Sequence, residues 1–209
     1  MGRATLIYVG DPLCSWCYGF GPELEAVRAA LGERAGLRVI VGGLRPHTTA
    51  PMDDALKRYL REAWQNVAQA SGRPFDFALL ERDDFVYDTE PACRAVVTAR
   101  GLRADAALPV FLAIQEAFYR DNRDPTREDT LAGAAQAAGL EREAFLAGFA
   151  SEHMRQATRQ DFTATRNLGI RGFPTLLLSR DGDIIVIASG FARAAKMIET
   201  IENALAAPS

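Results

Sequence analysis

Thr5-Leu6-Ile7-Tyr8-Val9-Gly10-Asp11-Pro12-Leu13-Cys14-Ser15-Trp16-Cys17 is the stretch that decides how this chain folds. Its first five residues are apolar and rich in β-branched and aromatic types, and Gly10-Asp11-Pro12 stops them, so they predict a buried strand feeding a turn. Beyond the turn, Leu24, Val27, Ala30 and Leu31 recur at helical spacing, which predicts a helix from Cys14 to about Leu31, ended by Gly32. Leu37-Arg38-Val39-Ile40-Val41, stopped by Gly42-Gly43, predicts a second strand. Strand, helix and strand so close together form a βαβ unit with parallel strands.

The pattern changes after this unit. From Pro51 to about Gly169 it is helical, starting with a stripe of Met52, Leu56, Tyr59, Leu60, Ala63, Trp64 and Val67. Further helices are predicted at Pro91 to Arg100, Leu108 to Tyr119, Arg127 to Ala138 and, as one long element, Glu141 to Leu168. Thr175 to Ser179 and Ile184 to Ala188, separated by Arg180-Asp181-Gly182-Asp183, predict a β-hairpin. A last helix, about Ala192 to Leu205, carries Ala195, Ile198, Ile201 and Leu205 on its apolar face. The predicted class is α/β, ordered βαβ, then a large all-helical insertion, then ββα. Residues 1–48 and 170–209 form one discontinuous unit, and residues 49–169 the insertion.

At 209 residues, 48% hydrophobic and 24% charged, the chain can bury a full core. A net charge of −3, with both signs interspersed, offers no footprint for nucleic acid or an anionic membrane. The apolar run Ala4 to Val9 is too short to span a bilayer, and Arg3 followed by Asp11 does not make a signal peptide. Met1-Gly2 lacks the Ser or Thr that a myristoylation signal places at its sixth position, where this chain has Leu6. The expectation is a cytoplasmic protein.

Three cysteines do not make a disulfide framework, yet Cys14 and Cys17 stand at CxxC spacing where the first strand meets its helix. Unpaired N–H groups and the positive end of the helix dipole favour a thiolate there. Cys14 is then the exposed nucleophile, and Cys17, one turn further in, the residue that resolves a mixed disulfide. Two packed core thiols are the plain alternative. Half a zinc site is another, but Cys93, His47 and His153 lie far away in sequence without ligand spacing. Cys93 reads as a packing residue, His47 as a loop residue and His153 as helix surface. Pro22 either kinks the first helix or starts its regular part. Trp16 offers an apolar surface to a substrate or packs against the insertion.

Gly172-Phe173-Pro174-Thr175 stands before the third strand, where a proline loses no ladder bond. With the CxxC and the insertion after the second strand, it gives a pattern that resembles the DsbA-like branch of the thioredoxin superfamily. Asp11 to Phe20 and Thr89-Glu90-Pro91-Ala92-Cys93-Arg94 are similar to its cytosolic predicted disulfide isomerases. The resemblance implies a cis Pro174 facing the cysteines, the Phe173 backbone pairing with a substrate strand, and a thioredoxin-like fold. It also implies a thiol-disulfide oxidoreductase of reductase or isomerase type that needs no metal or organic cofactor. Protein or small-molecule thiols and disulfides are the expected partners, with glutathione or thioredoxin as a possible reductant. Phe173 is bulkier than the Val or Thr usual before this proline. A glutathione-dependent isomerase or transferase of the same architecture is a rival, although that family has Ser in place of Cys14 and lacks Cys17. A non-catalytic polypeptide-binding module is another.

Overall fold

The structure, a computed structural model, describes residues 4–206; Met1, Gly2 and Arg3, which carry the reading of the N-terminus, lie outside the described residues. The apolar run forms β1 (Ala4–Gly10), which pairs in parallel with β2 (Ala35–Val41) in the register Leu6 to Leu37 and Tyr8 to Val39. Between them runs α1 (Ser15–Leu31), with Cys14 as its N-cap residue. Pro22 lies inside α1, so the helix is regular before it rather than starting at it.

β3 (Thr175–Arg180) pairs antiparallel with the other side of β1, and β4 (Asp183–Ser189) pairs antiparallel with β3. The sheet order is β2-β1-β3-β4. β1 is therefore hydrogen-bonded along both edges. The hairpin turn is tighter than the sequence predicts, because the strands extend to Arg180 and from Asp183. Only Asp181 and Gly182 remain, both at positive φ (52° and 101°), as a two-residue turn matched to strand twist demands. The last helix, α8 (Ala194–Ala206), buries Met197 and Ile201, whereas Ala195 faces solvent. Of the expected apolar face, Ile201 is buried and Ile198 and Leu205 pack against the core, so Ala195 alone departs from it.

The helices α2 (Asp54–Ser71), α3 (Glu90–Leu102), α4 (Ala107–Gln115), α5 (Glu128–Ala137), α6 (Arg142–Ala150) and α7 (Glu152–Asn167) lie between β2 and β3 in the chain. The long helix predicted from Glu141 to Leu168 is two helices. Ser151 takes an extended conformation, accepts the Met154 N–H at 3.2 Å and donates to the Gly148 carbonyl at 2.6 Å, so its hydroxyl starts α7. α4 runs on into a wider turn at Glu116–Arg120, closed by the Asp121 N–H on the Glu116 carbonyl at 3.0 Å.

The helices join the sheet in one buried cluster. α1 docks on α2 and α4 through its glycines: a Cβ on Gly19 would stand 2.7 Å from Val67, and one on Gly21 would stand 3.1 Å from Leu112. Tyr18 then stacks on Tyr119 at 4.8 Å, and Tyr119 meets Trp64 edge-on at 5.1 Å. Tyr59, expected on the buried stripe of α2, is 62% exposed. At the outer edge of the sheet, Arg100 of α3 donates to the Val39 carbonyl and pairs with Asp161 of α7, which accepts the Val41 N–H at 3.0 Å. These side chains satisfy ladder groups that β2 would otherwise leave open.

Candidate active site

The site is assembled at the C-terminal end of β1. Gly10 closes the strand, where an added Cβ would lie 2.8 Å from the Tyr8 hydroxyl and 3.1 Å from the Cys17 sulfur. A side chain at residue 10 would push the start of α1 away from the sheet. Asp11 makes the turn: its carbonyl accepts the Cys14 N–H at 3.0 Å, and its Oδ1 accepts the Leu13 N–H at 2.9 Å. Tyr87 donates its hydroxyl to the Leu13 carbonyl. Cys14 caps α1 with its backbone alone, since its side chain bonds no helical N–H, and the sulfur is left to point elsewhere.

It points at the loop before β3. The Cys14 thiol lies 3.6 Å from the Phe173 carbonyl oxygen, and the Phe173–Pro174 peptide is cis. The loop is held by the Thr175 hydroxyl on the Gly172 carbonyl at 2.9 Å and by the Gly190 N–H on the Pro174 carbonyl at 2.8 Å. The bulk of Phe173 has a local explanation, because its ring fills the space where residue 42 would carry a Cβ, 2.0 Å from the ring carbon. Glycine at 42 and phenylalanine at 173 are thus matched. Trp16 is half-buried and meets Phe191, at 6.0 Å between ring centres, on the segment after β4. Its ring partner therefore comes from the C-terminal part of the chain, while α2 of the insertion lines the same cleft through Tyr59, Leu60 and Ala63.

Cys14, Cys17 and Cys93 are free thiols. Cys14, expected to be exposed, is instead buried at 7% exposure, because the loop carrying Phe173 and the walls of the cleft close over it, and Cys17 is fully buried behind it. Burial pushes the Cys17 thiol well above its ordinary range, and the neighbouring Cys14 adds to this, while the Tyr8 hydroxyl hydrogen-bonded to Cys17 works against it. Burial likewise holds Tyr8 well above the usual phenol range. Sequence reasoning treated Tyr8 as a strand residue and Asp11 as a turn residue, so it missed both. The one available signal was an acid set between an apolar strand and Pro12-Leu13-Cys14. Asp11 is completely buried, and its Oδ2 accepts the Leu44 N–H at 2.6 Å and the Cys93 thiol at 3.4 Å. Burial raises its carboxyl, and the Leu44 and Leu13 amides partly offset that. Cys93 is buried in α3, while His47 and His153 are exposed. Among the described residues no group of three or more His, Cys, Asp or Glu side chains is gathered for a metal.

A cleft of about 200 Å³ opens beside Cys14, walled by Trp16, Phe173, Tyr59 and Tyr87 and by Leu44-Arg45 from the loop after β2. A reactive-looking thiol at a helix start, a buried thiol one turn behind it and a cis proline loop facing both make a recognisable constellation, and residues 5–206 match the DSBA-like thioredoxin domain. The chain belongs to the DsbA-like thioredoxin family. Members of this family are thiol-disulfide oxidoreductases. The structure of a candidate protein disulfide isomerase from Nitrosomonas europaea is similar over 98% of both chains, with a TM-score of 0.91 and 30% identity. The cytosolic disulfide reductase DsbM from Pseudomonas aeruginosa is similar over 96% of this chain and 98% of its own, with a TM-score of 0.80 and 30% identity. DsbM with GSH is similar at a TM-score of 0.78. Among curated proteins, the ClpXP adapter protein SpxH of Halalkalibacterium halodurans is 25% identical over 175 residues, 82% of this chain and 57% of the relative. The chain thus spans little more than half the length of that relative.

Two expectations follow from this geometry. Gly42→Ala drives a methyl into the Phe173 ring, an overpacking that costs about 1 to 3 kcal/mol. Phe173→Val relieves it, so urea denaturation of the two single variants and the double variant gives a favourable coupling, and simple additivity contradicts the matched pair. Asp11 has a raised carboxyl in the fold, so the native chain holds this proton more tightly than the unfolded chain does. Its contribution is most favourable below about pH 4 and is lost as the pH rises through the folded value. The stability difference between the wild type and Asp11→Asn therefore shifts against the wild type from pH 4 toward pH 7 in denaturant titrations. A constant difference would show that Asp11 titrates normally.

Proposed function

We propose that this protein is a thiol-disulfide oxidoreductase of reductase or isomerase type that cycles through a mixed disulfide on Cys14, resolved by Cys17. The observation that carries the reading is the unequal placement of the two sulfurs. Cys14 borders the cleft beside the Phe173 carbonyl, whereas Cys17 is sealed behind it with its thiol held protonated by burial. A sulfur arriving from outside can meet only the first.

In this cycle the Cys14 thiolate attacks a disulfide sulfur, a bond forms between them, and one thiolate leaves. The Cys17 thiol then loses its proton, attacks the Cys14 sulfur and expels the second thiol, so two electrons pass from the dithiol to the substrate. Tyr8, kept protonated by burial, donates toward the Cys17 sulfur and eases its ionisation. The backbone beside cis Pro174 is the edge on which a substrate strand would pair, with Trp16 and Phe173 as apolar walls. The unit of residues 49–169 supplies the opposite wall through α2. No step calls for a metal or an organic cofactor. The DsbM neighbour, named a cytosolic reductase and solved with GSH, supports a cytoplasmic setting and glutathione, or thioredoxin, as the source of electrons.

A second reading is favoured by the adapter name of the curated relative: the cleft holds a segment of another protein, and the cysteines are dispensable. Insulin reduction with dithiothreitol separates the two. The oxidoreductase reading expects the wild type to accelerate insulin precipitation and Cys14→Ser to fall to the uncatalysed rate; equal rates move the assignment to the binding reading. Equilibration of the Cys14–Cys17 pair with glutathione mixtures sets the direction. The expected potential lies nearer about −270 mV than about −120 mV, and a value at the oxidising end overturns the reductase or isomerase assignment.

A further inference from the structure

Arg45 is the one charged side chain lining the cleft beside Cys14; the rest of that wall is apolar, aromatic or hydroxyl-bearing. Its backbone is fixed from several sides. The Arg45 N–H donates to the Thr89 hydroxyl at 3.1 Å, and its carbonyl accepts the Thr89 N–H at 3.2 Å and the Thr48 hydroxyl at 3.1 Å. Thr89 is fully buried, and the preceding Leu44 N–H is held by the buried Asp11 carboxylate. In contrast, the guanidinium has no ion-pair or hydrogen-bond partner among the described residues. Most arginines elsewhere in the fold are occupied: Arg100 by Asp161, Arg94 by Glu90 and Arg73 by Glu116. A rigidly mounted, unpaired guanidinium in a small cleft next to a nucleophilic sulfur is a receptor for an anionic group on the molecule carrying the reacting sulfur.

The geometry points to Arg45 as a specificity-determining residue that holds a carboxylate of a small anionic thiol or its disulfide while the sulfur reaches Cys14. This inference rests on the oxidoreductase reading and names its substrate class. In the reductive direction, a carboxylate-bearing thiolate attacks the Cys14–Cys17 disulfide at Cys14. A mixed disulfide forms and Cys17 leaves as a thiolate that takes up a proton. A second thiolate then attacks the substrate sulfur of that mixed disulfide and releases Cys14. Two thiols are oxidised to one disulfide, and the enzyme gains two electrons and two protons. Arg45 takes no part in bond making; it raises the occupancy of the productive pose for anionic thiols.

The test is stopped-flow reduction of the oxidised full chain, followed by tryptophan fluorescence, with three thiols of different charge: glutathione (anionic), 2-mercaptoethanol (neutral) and cysteamine (cationic). Arg45→Gln is expected to slow glutathione by about tenfold, to leave 2-mercaptoethanol unchanged and to speed cysteamine, the loss matching one charge-assisted contact. Arg45→Lys is expected to recover part of the glutathione rate, because it restores charge without the bidentate fork. Added salt should narrow the difference between wild type and Arg45→Gln. An equal change with all three thiols, or none with glutathione, overturns the assignment of Arg45 while the oxidoreductase reading stands. Failure of the wild type to react with any of the three thiols overturns both, and the 2-mercaptoethanol rate serves as the internal check that each variant is folded.

Discussion

Asp11 carries a carboxyl group with no access to solvent, and it bonds to three parts of the chain at once: the turn before Cys14, the loop after β2 and the start of α3. Burying such a group is costly unless its oxygens are bonded, so the surrounding donors are fixed as firmly as the acid itself. The Leu13 amide sets the bend that presents Cys14, and the Leu44 amide sets the loop that carries Arg45. The cleft is therefore a product of one buried acid and the segments that satisfy it. Its raised carboxyl shows that the bonds only partly offset the lost hydration.

The two cysteines take different characters from the same constraint. Docking of α1 against the sheet, permitted by glycine at 10, seals Cys17 beside Tyr8, while the helix start leaves Cys14 at the rim. Across the rim, the loop carrying cis Pro174 is kept in place by a ring seated on Gly42, so the end of β2 and the start of β3 shape one surface from residues far apart in sequence.

Much of this was legible before any coordinates. β1, α1, β2 and the hairpin were announced by strong local signals: a β-branched run stopped by Gly-Asp-Pro, helical spacing after Cys14, and Asp-Gly between two apolar runs. The cysteine pair and Gly-Phe-Pro-Thr pointed to the family that the whole chain then matched. What escaped was set by contacts rather than by period. Ser151 interrupts a pattern that reads as continuous, because its hydroxyl caps a new helix only where the chain turns back. Tyr59 has the spacing of a core residue but stands where α2 overlooks the cleft, and Ala195 lies at the margin of a face that meets the core through Ile198, Ile201 and Leu205. Asp11 looked like ordinary turn chemistry, since burial of an acid depends on donors that arrive from residues 44 and 93.

The two margins of the sheet are unlike. At β2 the outward Val39 carbonyl and Val41 amide are already taken by Arg100 and Asp161, whereas β4 shows Ile184, Ile185 and Val186 to solvent, the last 61% exposed. Strand-to-strand association is therefore less obstructed along β4 than at the end of β2 that α3 and α7 already occupy.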